Sequence, residues 1–352
     1  MKEAGRLLRI LLCFMCCCTL LAGCGSQSEE KKETEVKEKK IQIGFSFDSF
    51  VIERWNREKE VFVTEASDMG AVVNVQNANG DIETQIEQIQ YFIKKNMDVI
   101  VIVATDSNGL SEVVDEAKKE GIHVIAYDRM INNADIDLYI SFDNEKVGNL
   151  MAETLLRATD YSGNYLMLCG PKTDDNVDRV TRGFDKAITD RNISIAGLMN
   201  AESWRAEAAY EYLTGNPELM ENVDAIMCGN DNIATQTVRY LSENGMAGSI
   251  PVVGQDADLE ACQRIVEGTQ LMTVYKPVDN LAKTAAKAAV NMAYGKGLED
   301  IEAECMRMTD EEGNSYQYIS LEPVAVTVDN MDQVIVEGGF HLAKEVYLNV
   351  KK

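Results

Sequence analysis

The sequence predicts an α/β fold made of two units of similar size, each a parallel sheet covered by helices. Three observations predict it. From Ile41 onward, short β-rich runs alternate with amphipathic helical stretches, the pattern of strand–helix–strand units. Val99–Val103 is an unbroken aliphatic run, as expected of a strand buried on both faces. The alternation then starts again near Tyr165, in a chain of 352 residues that is long enough for two ordinary domains.

In the first series Ile41–Phe47 reads as a strand, followed by a helix from about Ile52 to Met69 that stops at Gly70. Val72–Val75 is the next strand, and the polar turn Asn77–Gly80 leads into a helix from Asp81 to about Asn96. After Val99–Val103 comes a helix over Ser107–Glu120, stopped by Gly121, and then the strand His123–Tyr127. The second series has strands at Tyr165–Cys169, Ile193–Leu198, Ala225–Cys228, Pro251–Val253 and Leu271–Val274. Helices fall between them at about Asp174–Thr189, Ala206–Tyr212, Ile233–Glu243 and Leu259–Glu267, with a long Ala-rich helix at Val278–Tyr294. The tail beyond it is expected to recross between the units. Pockets in such sheets form outside the carboxyl ends of the strands, so two facing sheets make a cleft suited to a small ligand.

The amino terminus reads as an export signal. Lys2, Arg6 and Arg9 precede an apolar run, Ile10–Leu21, that is shorter than the roughly 20 residues a spanning helix needs. Leu21-Ala22-Gly23-Cys24 resembles the lipobox of bacterial lipoproteins. Residues 1–23 are therefore expected to be a cleaved signal peptide, with lipid on Cys24 holding the protein on the extracytoplasmic face of the membrane; an uncleaved signal anchor is the alternative. The polar segment 24–40 cannot bury a core and is expected to be a flexible leash.

Composition narrows the partners. The chain is 45% hydrophobic and 26% charged, with a formal net charge of −24, which repels phosphate backbones and argues against nucleic acid. A neutral ligand is indifferent to that charge. The Cys13-x-x-Cys16 spacing leaves with the signal peptide, Cys169 and Cys228 end apolar runs as small core residues, and no pair has the spacing of a disulfide framework or zinc site. No metal and no cofactor are expected. Catalytic chemistry is scarce as well: the two histidines, His123 and His341, lack an evident carboxylate or nucleophile partner, and no Gly-rich phosphate loop or nucleophile elbow occurs.

What the sequence does offer is polar residues at strand ends. Asp128-Arg129 follows Val124–Tyr127, Asn230-Asp231 follows Ala225–Gly229, Gln255–Asp258 follows Val252–Gly254, and Lys276 follows Leu271–Tyr275. Each hydroxyl of a polyol both donates and accepts, so carboxylates that accept and guanidinium, ammonium or amide groups that donate suit it. Trp55 and Trp204 lie in strand-to-helix loops and offer aromatic faces for the C–H side of a ring. Asp231 is expected to be a helix N-cap before Ile233.

These residues sit in stretches that closely resemble bacterial D-xylose-binding proteins, the receptors of xylose ABC importers. The resemblance lies in Tyr127–Asn132, Ala134–Asp137 and Tyr139–Gly148, in Glu53-Arg54-Trp55 and Val75–Gly80, and in Gly254–Leu259, Gly268–Gln270 and Met272–Pro277. It runs from about Ile41 to His341, and Lys276 stands where ribose-binding relatives usually carry glutamine. The resemblance implies two Rossmann-like domains joined by a three-crossing hinge and closing on one monosaccharide. It implies Arg54, Trp55, Asp128 and Arg129 as site residues from the first domain, and Asn176, Trp204, Asn230, Asp256 and Lys276 from the second. The tryptophans would sandwich the ring, Asp128 and Asp256 would accept from hydroxyls, and the basic and amide groups would complete the network. Domains are expected at 41–145 plus about 277–305 and at 146–276 plus about 306–352, although Glu299–Tyr318 departs from the family pattern. The expected protein is a monomer and not an enzyme. It hands D-xylose or a related monosaccharide to an ABC permease with its ATPase; the alternative is a sensing subunit for a membrane histidine kinase or chemoreceptor.

Overall fold

The computed structural model describes residues 40–298, 301, 303–309 and 313–350. The expected signal peptide, the lipidation site Cys24 and the leash up to residue 39 lie outside the described residues.

Strands β1 (Gln42–Phe47), β2 (Val72–Asn77), β3 (Val99–Ile102), β4 (His123–Tyr127) and β5 (Leu138–Phe142) are joined by helices α1 (Arg54–Asp68), α2 (Ile82–Lys94) and α3 (Ser111–Lys119). The chain then runs through α4 (Asn144–Ala158), β6 (Ser162–Cys169), α5 (Asp175–Ile188), β7 (Asn192–Asn200), α6 (Glu207–Gly215), β8 (Ala225–Cys228) and α7 (Asp231–Glu243). It continues with β9 (Val252–Gln255), α8 (Leu259–Glu267), β10 (Met272–Tyr275), α9 (Val278–Ala293), β11 (Cys305–Thr309), β12 (Ser315–Leu321), β13 (Val324–Val326) and a short α10 (Ala343–Val346).

These strands make a seven-stranded sheet in the order β11-β12-β5-β4-β3-β1-β2 and a six-stranded sheet in the order β13-β10-β9-β8-β6-β7. All pairings are parallel except β11 with β12 and β13 with β10. The sheet centres are aliphatic and closed to water: every residue of β3, β5 and β8 is buried. That is the burial a parallel sheet needs, because helices cover both faces. Helix starts are set by local chemistry, with Asp81, Asp143 and Asp174 each accepting from a backbone N–H in the first turn of α2, α4 and α5.

The chain passes between the sheets at Asp143, between β5 and α4; at Lys276–Pro277, between β10 and α9; and between β12 and β13. The third passage corrects the expected partition. Residues 306–352 were expected to accompany the second sheet, yet β12 pairs with β5 from Gln317↔Leu138 to Leu321↔Phe142, and β11 extends the same sheet. The chain returns to the second sheet only at β13. The cause is local packing: Tyr318 stacks on Tyr139 with ring centroids 5.0 Å apart, which draws β12 onto the edge of β5. Every residue of β11 is exposed, so no burial periodicity announces it.

Two glycines set how tightly the second lobe packs behind the cleft. A Cβ on Gly148 of α4 would lie 1.9 Å from the Val180 carbonyl oxygen, and one on Gly183 of α5 would lie 1.9 Å from that of Glu145. The two helices therefore touch backbone to backbone, and any side chain at these positions forces them apart. Overpacking of this kind costs about 1–3 kcal/mol, so Gly148→Ala is expected to lower the urea midpoint accordingly. An unchanged midpoint would show that the helices can part freely.

Candidate functional site

The carboxyl ends of the two sheets face each other, and the polar residues that follow those strands meet between the lobes. From the first lobe come Asp48 after β1, Arg54 and Trp55 at the start of α1, and Asp128 and Arg129 after β4. From the second come Asp174 and Asn176 around the start of α5, Trp204 after β7, Asn230 after β8, Asp256 after β9 and Lys276 after β10. All of these side chains are buried.

Two guanidinium groups organise the meeting. Arg54 reaches Glu58 through Nη1 at 2.7 Å, Asp128 through Nη2 at 2.7 Å, and Asp256 of the opposite lobe through Nε at 3.5 Å. Lys276 Nζ lies 3.3 Å from the same Asp256 oxygen. Arg129 pairs through Nη1 with Asp48 at 2.9 Å and donates to the Ala104 carbonyl at 3.0 Å, while its Nε reaches Asp174 of the opposite lobe at 2.8 Å. The indole N–H of Trp204 donates to that Asp174 carboxylate at 3.1 Å. Asn176 Nδ2 donates across the cleft to Asp128 at 3.0 Å, and its own oxygen accepts from Asn144 at 2.8 Å.

The structure thus joins Arg54, Asp128, Arg129, Asn176, Trp204, Asp256 and Lys276 in one buried network. Trp55 belongs to it through the Arg54 guanidinium, whose carbon sits 3.9 Å from the ring centre. One approach to the Trp55 ring is therefore held by a cation, a feature the expected sandwich of two indoles did not anticipate. Trp204 lies against Gly170, where a Cβ would come within 2.4 Å of the indole. Asn230 stands apart from the bonded chain: its oxygen caps α7 by accepting from Ile233 N–H at 2.9 Å, and its Nδ2 is buried with no protein partner.

The expected cap at Asp231 is corrected by the same observation. Asn230 is the cap, and the Asp231 carboxylate turns inward to accept from Thr273, Gln270 and the Asp258 N–H. In an Asn-Asp pair both side chains are good caps, so sequence alone does not order them. Asp48, Asp174 and Glu58 were missed. Each left a signal: Asp48 directly follows a strand, Asp174 precedes a helix, and Glu58 lies one turn beyond Arg54 on the same helix face.

Burial and charge oppose each other across the network. Burial would raise the Asp128 carboxyl, but the charges of Arg54, Lys276 and Arg129 outweigh it and hold it below the usual range. At Asp174 burial prevails over Arg129 and the carboxyl is raised. Burial would lower Arg54, yet Asp128, Glu58 and Asp256 keep its guanidinium firmly charged. Glu58 behaves differently. Burial pushes it up to about 8, because the one cation beside it is shared with two other carboxylates; it also accepts a short hydrogen bond from Tyr127.

Several buried polar atoms here have no protein partner, among them Asp48 Oδ1, Asn230 Nδ2, Trp55 Nε1 and Gln255 Oε1. Such atoms are uncommon in folded interiors, where buried polar groups are hydrogen-bonded. An open cavity of about 260 Å³ at the Arg129 end of the network is lined by Asp48, Thr105, Arg129, Thr173, Ser203 and Trp204. Of the unpartnered atoms, Asp48 Oδ1 and Thr105 Oγ1 belong to its lining, while Trp55, Asn230 and Gln255 lie outside it. The site can therefore offer acceptors, donors and an aromatic face to a small polar molecule. Among the described residues no group of histidine, cysteine and carboxylate side chains is arranged to hold a metal. His123 lies 3.4 Å from Asp137 on the far side of the sheet, and His341 contacts the Ala257 carbonyl at 2.8 Å.

Comparison with known proteins agrees with this architecture. The family model described as periplasmic binding protein domain matches residues 43–297. The D-xylose-binding periplasmic protein of Haemophilus influenzae is 43% identical over 317 residues, covering 88% of this chain and 93% of that protein. The protein of the same name from Escherichia coli is 38% identical over 323 residues, with the same shares of each chain. Among solved structures, an ABC transporter solute binding protein from Clostridium phytofermentans with bound β-D-glucose superimposes with a TM-score of 0.77 at 23% identity, covering 87% of this chain and 99% of that one.

The raised Glu58 has a consequence for stability. The folded protein keeps the Glu58 proton up to about pH 8, whereas the unfolded chain releases it near the ordinary 4.5. The stability this group contributes is complete below the lower value and is lost as pH rises through the upper one. Glu58→Gln cannot titrate. In urea melts from about pH 5 to about pH 9, wild-type unfolding free energy should therefore fall relative to that of Glu58→Gln. Parallel profiles for the two proteins would contradict the assignment.

Proposed function

We propose that this chain, which belongs to the periplasmic binding protein family, is a receptor that captures a monosaccharide between its two lobes, with D-xylose as the preferred ligand. The observation that carries the reading is the convergence of Arg54, Asp128 and Arg129 from one lobe with Asn176, Asp256 and Lys276 from the other in a single buried network. A sugar hydroxyl donates to a carboxylate with one face and accepts from a guanidinium, ammonium or amide with the other. Asn230 Nδ2 and Asp48 Oδ1 have the free capacity to join such a ring of bonds. Trp204 supplies an apolar face. The preference for xylose rests on the relatives 43% and 38% identical, both named for D-xylose binding.

The mechanism follows from where these groups stand. A ligand that bonds to both lobes has more contacts with the closed form than with any open one, so it shifts the population toward closure by that difference. The three inter-lobe passages let the lobes turn as bodies. The closed form is then the shape that an ABC permease recognises, and the sugar leaves chemically unchanged. Lipid on Cys24 keeps the receptor at the extracytoplasmic face of the membrane, with the polar segment 24–40 as its leash.

Three measurements check this reading. On a panel of monosaccharides, thermal shift should be largest with D-xylose, and a larger shift with D-glucose would overturn the specificity. Asp256→Ala should weaken xylose binding by more than about tenfold in calorimetry, because a hydrogen bond to a buried charged group contributes roughly 1.5–3 kcal/mol; unchanged affinity would remove Asp256 from the site. Cells grown with labelled palmitate should label the wild-type protein and leave Cys24→Ala unlabelled, and a wild-type protein without label would refute the anchor.

A further inference from the structure

The loop that carries Asp256 adopts an uncommon backbone. Asp256 has φ 97° and Ala257 has φ 56°, two successive non-glycine residues in the left-handed region. L-residues visit that region rarely and hold it only where surrounding structure enforces it. Here the enforcement can be traced atom by atom. The Asp256 N–H donates to Val274 O at 2.9 Å, and the Ala257 N–H donates to Thr273 Oγ1 at 3.1 Å. The Asp258 N–H donates to Asp231 Oδ2 at 3.1 Å, and that same oxygen accepts from the Thr273 hydroxyl at 2.6 Å. Gln270 Nε2 donates to the other carboxylate oxygen at 2.8 Å. Asp231 and Thr273 are both fully buried.

We infer that Asp231 is a positioning residue that fixes the Asp256 loop for sugar binding without touching the sugar. The inference rests on the reading of Asp256 as a ligand-binding carboxylate. Thr273 has one hydroxyl proton. Its donation to Asp231 leaves an oxygen lone pair free for the Ala257 N–H, so the carboxylate sets the direction of the whole relay. Gly254 makes room for this: a Cβ there would stand 2.2 Å from Asp231 Oδ1.

The chemistry requires a carboxylate rather than an amide. Two of the groups facing Asp231, the Asp258 N–H and the Gln270 amide nitrogen, are donors. An asparagine turned one way sets its NH2 against the Asp258 N–H. Turned the other way, it sets its NH2 against Gln270 Nε2, and Gln270 cannot rotate to compensate because its oxygen accepts from Arg264 Nε at 3.0 Å. Either orientation breaks a bond at or next to the loop.

The test is a series in the full chain, Asp231→Asn, Thr273→Val and Thr273→Ser, titrated with D-xylose by calorimetry. Asp231→Asn and Thr273→Val are expected to weaken binding by at least about tenfold, while Thr273→Ser, which restores the hydroxyl, stays within roughly threefold of wild type. Val114→Ala, in the aliphatic core of the first lobe and away from this loop, serves as a control that loses stability and keeps its affinity. A merely structural role for Asp231 would not separate Thr273→Ser from Thr273→Val. Wild-type affinity in Thr273→Val and in a folded Asp231→Asn would overturn the proposal, and the threonine series decides alone if Asp231→Asn does not fold. Should the wild-type protein bind no monosaccharide, the reading of the site falls separately. Hydrogen exchange at the Ala257 and Asp258 amides then decides, since faster exchange in the variants supports the positioning role and unchanged exchange overturns it.

Discussion

A guanidinium buried between two lobes has to be matched by carboxylates on both sides, and much of this molecule is arranged around that requirement. Arg54 pairs with Asp128 of its own lobe, approaches Asp256 of the other, and donates a hydrogen bond to the Glu58 carboxyl. An unpaired buried charge is strongly destabilising, so the pairing partners are tied to one another's positions. Arg129 repeats the pattern between Asp48 and Asp174. In the proposed reading the same groups would bond a small polyol, because charge-assisted bonds are the stronger ones in a site shielded from water.

The fold delivers these charges cheaply. Asp48, Asp128, Arg129, Asp256 and Lys276 come from the residue or two after a strand, where a parallel sheet ends, while Arg54, Glu58 and Asp174 come from the first turns or the cap of the helices that follow. Aliphatic runs such as Val99–Ile102 hold the strand ends in register, and the tight α4–α5 contact through Gly148 and Gly183 stiffens the second lobe behind Asn176. Precision at the tips thus rests on packing far from them.

Most of this architecture was legible in the sequence, for a physical reason: strands buried on both faces must be aliphatic, and the polar residue that ends such a run has to lie at a sheet edge. Asp128, Arg129, Asp256 and Lys276 were found in that way, while Arg54 and Asn176 came from resemblance to a known family. Three things were illegible. The exposed β11 buries nothing and so has no periodic pattern. Asn230 and Asp231 carry interchangeable capping chemistry, and only the tertiary fold shows that Asp231 turns inward. Glu58 sits on a helix whose i,i+4 pairing with Arg54 looks like an ordinary surface pair until the burial of both is seen.

The account stands on one claim, that groups from both lobes close on the same small molecule. A crystal structure of the complex with D-xylose tests it most directly. The account predicts one sugar ring with hydroxyls bonded to Asp128 and Arg129 from the first lobe and to Asp256 and Lys276 from the second. A sugar bound to one lobe alone, or bound outside this network with the inter-lobe ion pairs intact, would contradict it.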